Sequence, residues 1–96
     1  MSQIKITPDR LRSCAGECQN LGNQCGDIVQ QTQRLVNELQ NEWQGNASNS
    51  FAQRFESLRP SMDKFVELYE DLSRQMNGVA TTMEEVDQEI ASRIGQ

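Results

Sequence analysis

The sequence predicts an all-α fold: an antiparallel two-helix hairpin that dimerises into an elongated four-helix bundle. Three observations predict it. Apolar residues recur in alternating steps of three and four along nearly the whole chain. One glycine-centred break, Gln44-Gly45-Asn46, interrupts that spacing near the middle. The apolar stripe of the second half then outlasts that of the first.

The 96 residues make one domain, 1–96, near the lower limit of what a single core stabilises. Hydrophobic content is 35%, so the chain folds only if its apolar residues share one face.

Helix one is expected over about residues 8–43. Thr7-Pro8-Asp9 is a helix start, with Thr as N-cap, Pro in the first turn and Asp near the positive end of the dipole. From there Leu11, Cys14, Cys18, Leu21, Cys25, Ile28, Thr32, Leu35 and Leu39 form a heptad stripe. A second row, Ala15, Gly22, Val29, Val36 and Trp43, lies one position beyond and widens it. Gly16, Gly22 and Gly26 each weaken the helix by roughly 1 kcal/mol relative to Ala, so the first half depends on packing.

The turn is expected at about 44–46, where Gly45 can take positive φ and Asn46 can cap the next helix. Helix two is expected over about 47–93. Its seam is Phe51, Phe55, Leu58, Met62, Phe65, Tyr69, Leu72, Met76, Val79, Met83, Val86 and Ile90, flanked by Ala52, Val66, Ala80 and Ile94. Pro60 lies on the outward side, where it bends the helix near residue 60 rather than ending it.

Helices joined by so short a turn run antiparallel. Folding at Gly45 brings Pro8 beside about residue 82, at about 1.5 Å per residue. Met83, Val86, Ile90 and Ile94 lie beyond that point with no partner in their own chain. A second copy supplies one, and two hairpins make a four-helix bundle.

Composition excludes several functions. Net charge is −5, with nine basic residues scattered among fourteen acidic ones, which argues against nucleic acid and anionic membranes. The start, Met1 to Pro8, has no apolar signal-peptide core, so any export is expected to be leaderless. No histidine is present, and no phosphate loop ends in Lys-Ser/Thr. We expect no enzyme and no cofactor.

Trp43-Gln44-Gly45, followed by Ala47 and Phe51, stands at the midpoint of a chain of about a hundred residues. With two amphipathic helices around it, the sequence resembles the WXG100 family, small proteins similar to the early secreted antigenic target of mycobacteria. Near the C-terminus Met83, Asp87, Ile90 and Ile94 resemble the tail pattern of Firmicutes members, hydrophobic-x-x-x-Asp/Glu-x-x-hydrophobic-x-x-x-hydrophobic. No Tyr stands where mycobacterial members carry one.

The resemblance implies a non-enzymatic protein of a Gram-positive type VII secretion system, secreted as a folded homodimer. It implies an FtsK/SpoIIIE-type ATPase as partner. It also implies a two-part export signal, Trp43 and Gly45 of one copy beside Met83, Asp87, Ile90 and Ile94 of the other. A chaperone for a larger secreted helical toxin, or a membrane-perturbing virulence effector, is the alternative.

The remaining residues have plainer readings. Cys14, Cys18 and Cys25 sit on the seam as small apolar side chains, although an odd number leaves a disulfide to another chain open. Glu84, Glu85 and Glu89 make a solvated face. Met62, Met76 and Met83 are expected in the core. Trp43 serves the helix end as a plug, a recognition anchor, or both.

Overall fold

The computed structural model describes residues 6–43 and 45–95, which form two helices and nothing else. Helix α1 spans Pro8–Glu42 and α2 spans Asn46–Ile94. The hairpin is 77 Å long and 23 by 19 Å across. A straight 49-residue helix rises about 74 Å, so α2 accounts for that length. The N-terminal segment Met1–Lys5, and Gln44 of the expected turn, lie outside the described residues.

Local chemistry fixes the helix ends. The Thr7 hydroxyl accepts from the Arg10 backbone N–H at 3.1 Å, and Pro8 follows at the first helical position, as expected. At the other end of α1 the Trp43 backbone N–H donates to the Leu39 carbonyl at 2.7 Å. Gly45, at φ +149° and ψ 174°, reverses the chain. That backbone region belongs almost wholly to glycine.

Asn46 does not cap α2. It is already helical, and Gly45 holds the cap position without any side-chain hydrogen bond. The chain needs its glycine conformation immediately before the helix, which leaves Asn46 inside the first turn. Further on, α2 passes through Pro60 unbroken, with that residue facing solvent.

Contacts along the hairpin set the register. The Arg12 guanidinium reaches the Thr81 hydroxyl at 3.2 Å and the Glu84 carboxylate at 2.5 Å. Gly22 lies against Tyr69 and Gly26 against Val66. The Arg59 guanidinium donates to the Gln33 side-chain oxygen at 2.9 Å. This register puts Pro8 level with about residue 84, so α2 outruns α1 by about ten residues, roughly 15 Å.

The packing inside the chain falls on the small flanking row, not on the broad seam. On α1 the buried residues are Ala15, Gly22, Val29 and Val36; on α2 they are Ser48, Ala52, Phe55, Ser73 and Ala80. Ala15 and Ala80 are 1% and 0% exposed. Small side chains let the two backbones approach closely, and two facing rows of Leu or Phe would hold them apart. A compact cluster of Val36, Ala52 and Phe55, with Met62 against it, closes the turn end.

Candidate interaction surface

Putting the small residues inside leaves the large ones outside. Ile28 is 61% exposed, Leu35 53% and Phe65 52%, and Leu21, Leu39, Phe51, Leu58, Val79, Val86 and Ile90 are exposed as well. Of the expected seam only Phe55 is buried; Leu11, Met62, Tyr69, Leu72 and Met76 are half-buried. Leu68, outside the expected seam, is also exposed. Its place one turn from Phe65 and Leu72 was visible in the spacing, but it breaks the strict heptad.

These side chains form a continuous face across both helices. Phe65 and Tyr69 meet edge to face, with ring centroids 5.4 Å apart. Cys25, Ile28, Leu58, Met62, Phe65 and Val66 line an open apolar groove of about 490 Å³ between the helices. Toward the tail, Val79, Met83, Val86 and Asp87 line a second open groove of about 740 Å³. An apolar surface this extended on a small chain marks an interaction site.

The two expected signal elements stand at opposite ends of the hairpin. Trp43 closes α1, half exposed, beside Gly45, around which there is open space. Met83 is half-buried, Asp87 and Ile90 are exposed, and Ile94 is 79% exposed near the far tip. About forty residues of helix, roughly 60 Å, separate Trp43 from Asp87 within one copy.

Cys14, Cys18 and Cys25 are all free and half-buried along the outer face of α1. Among the described residues no three or more His, Cys, Asp or Glu side chains gather as a metal site. Among the described residues, no helix is long and apolar enough to cross a membrane. Ion pairs such as Arg34–Glu38 and Arg93–Glu89 link neighbouring turns of single helices on the solvent side.

Comparison with known proteins follows this geometry closely. The family model for WXG100, proteins of 100 residues with WXG, matches residues 3–88. Protein YukE of Bacillus subtilis is 36% identical over 91 residues, covering 95% of this chain and 94% of that protein. Type VII secretion system extracellular protein A of Staphylococcus aureus is 28% identical over 95 residues, covering 99% of this chain and 98% of the relative.

Among solved structures, EsxA of Geobacillus thermodenitrificans has a TM-score of 0.85 at 31% identity, covering 95% of this chain and 100% of its own. The secreted protein EsxB of Bacillus anthracis has a TM-score of 0.80 at 24% identity, covering 91% of this chain and 99% of its own, a likeness of fold. These organisms are Firmicutes, the branch that the tail pattern resembles. A family match that leaves out only the two ends, with a relative more than a third identical along nearly the whole chain, makes this chain a member of the WXG100 family, whose proteins are non-enzymatic.

Proposed function

We propose that the chain is a secreted, non-catalytic substrate of a type VII secretion system, exported without a cleavable leader as a folded homodimer. The observation that carries this reading is the exposed apolar face, which runs the length of the hairpin and beyond the start of α1. The likeness to an extracellular protein of such a system in Staphylococcus aureus supports the pathway.

In this reading two hairpins lie face to face with their turns at opposite ends. Trp43 and Gly45 of one copy then stand beside Met83, Asp87, Ile90 and Ile94 of the other, which a single copy keeps about 60 Å apart. The composite end is the surface offered to an FtsK/SpoIIIE-type ATPase. Trp43 supplies a rigid aromatic anchor and Asp87 a charge beside the apolar row of Met83, Ile90 and Ile94.

Secretion assays in the native host test it. Trp43→Ala, and truncation after Val86, should leave the protein in the cell pellet while wild type reaches the medium. Unchanged release of both variants would remove the two-part signal.

The same face could instead receive a helical segment of a larger secreted toxin, since its apolar grooves are open along both helices. Purification from the host separates the two: a self-dimer favours the first reading, and a stoichiometric complex with a longer helical protein favours the second.

A further inference from the structure

Sulfur side chains from both helices stand at one level near the open end of the hairpin. Cys14 and Cys18 lie four residues apart on α1, both free and half-buried. The contacts of Gly22 with Tyr69 and of Gly26 with Val66 fix how α2 runs back along α1. Counting on from them sets Met76 level with residue 15 or 16, between the two cysteines. Met76 is half-buried as well.

The heptad places all three on the same side. Ile28 and Met62 line one apolar groove between the helices. Two heptads toward the open end, Cys14 takes the place of Ile28 and Met76 that of Met62. Cys18 follows Cys14 by one turn, in the row that carries Cys25 into that groove. Among the described residues no carboxylate completes a three-ligand group with the two thiols.

The helix sets what the two thiols can do. Side chains at i and i+4 have Cβ atoms about 5–6 Å apart, and a disulfide needs about 3.5–4.5 Å. Cys14 and Cys18 are therefore held as a dithiol. Two metal–thiolate bonds of about 2.3 Å put their sulfurs about 4–4.6 Å apart, from trigonal to linear geometry, which Cβ atoms at the i,i+4 spacing can supply.

We propose that Cys14, Cys18 and Met76 form a binding site for copper(I), with two thiolates from one turn of α1 and a thioether from α2. Thiolate and thioether donors select this soft ion. Structural zinc takes four ligands from cysteine, histidine and carboxylate side chains, and this group offers two. Binding releases both thiol protons to solvent and leaves two thiolates around one monovalent cation, with one net negative charge; nothing is oxidised or reduced. Cys25 lies about 10 Å along the helix from Cys18 and takes no part. One chain supplies every donor, so the site stands whether or not a second copy covers the face. The ion ties α1 to α2 at the end away from the turn, beside the buried pair of small residues Ala15 and Ala80.

The experiment titrates the reduced full chain with copper(I) under anaerobic conditions, against a chromogenic copper(I) chelator, and follows the thiolate-to-copper absorption in the near ultraviolet. Wild type and Cys25→Ser should each take one ion per chain, and Cys14→Ser and Cys18→Ser should lose it to the chelator. Alkylation of the copper-loaded chain, read by peptide mass, should modify Cys25 and spare Cys14 and Cys18. Met76→Leu should hold the ion more weakly and lose the rise in melting temperature that copper(I) gives wild type. Circular dichroism checks that each variant is helical, and Cys14→Ala and Cys18→Ala replace any serine variant that is not.

Copper lost in Cys25→Ser and kept in Cys14→Ser, equal weakening by all three cysteine variants, or alkylation of all three thiols in the loaded chain overturns the site. A Met76→Leu chain that binds as wild type does removes the thioether and overturns the three-sulfur arrangement. Secretion and self-association are read separately, by the host assays and by sedimentation, and neither result decides this one.

Discussion

Gly22 and Tyr69 touch so closely that a Cβ built on Gly22 would stand 2.9 Å from the Cβ of Tyr69. The clash is with the root of the side chain, which moves only if the α2 backbone moves. Gly22→Ala should therefore destabilise the hairpin by about 1–2 kcal/mol through overpacking, despite a helix-propensity gain of about 1 kcal/mol. Denaturant unfolding checks the sign.

Gly16 is the matched control. It lies in α1 with nothing within 4 Å of an added Cβ. Gly16→Ala should raise the unfolding free energy by roughly 0.5–1 kcal/mol, because it gains helix propensity and meets no neighbour. Opposite signs for two glycines six residues apart would locate the close approach at Gly22.

Gly45→Ala isolates backbone strain. No atom lies within 4 Å of the added Cβ, yet φ is +149°. The variant should lose about 1–3 kcal/mol of stability with no steric contribution. A melting temperature equal to wild type would mean that the turn adopts a different backbone.

Ile28→Asp probes the outer face. Ile28 is the most exposed of the large residues on α1 and stands at the rim of the open groove, so the charge leaves the buried rows of the hairpin untouched. Sedimentation should show a shift from dimer to monomer. For wild type the melting temperature should rise with protein concentration, as linkage requires of a self-associating chain, and for the variant it should not.

Much of this was legible from residue order alone. Thr7 as N-cap, Pro8 in the first turn and the break at Gly45 follow from what each residue's backbone and side chain can do. Asn46 was misplaced because the turn needs only one glycine-like residue, and Gly45 supplies it next to the helix. The inner and outer rows were both visible, separated by a single position. Periodicity does not say which of two adjacent rows packs within the chain. Side-chain size decides that: Ala15, Gly22, Ser73 and Ala80 permit a backbone approach that Leu21, Leu72 and Val79 forbid. The distance between Trp43 and Asp87 could be computed from helix rise, and one copy keeps them about 60 Å apart.

The ten or so residues by which α2 exceeds α1 have a consequence for how this shape can change. By the register they rest on nothing in their own chain, so shortening, extending or exchanging them rewrites none of the hairpin's internal bonds. The molecule thus divides into a portion that keeps its form and a portion free to vary. Grafted onto an unrelated hairpin of similar length, this terminal stretch would carry its helical pitch with it.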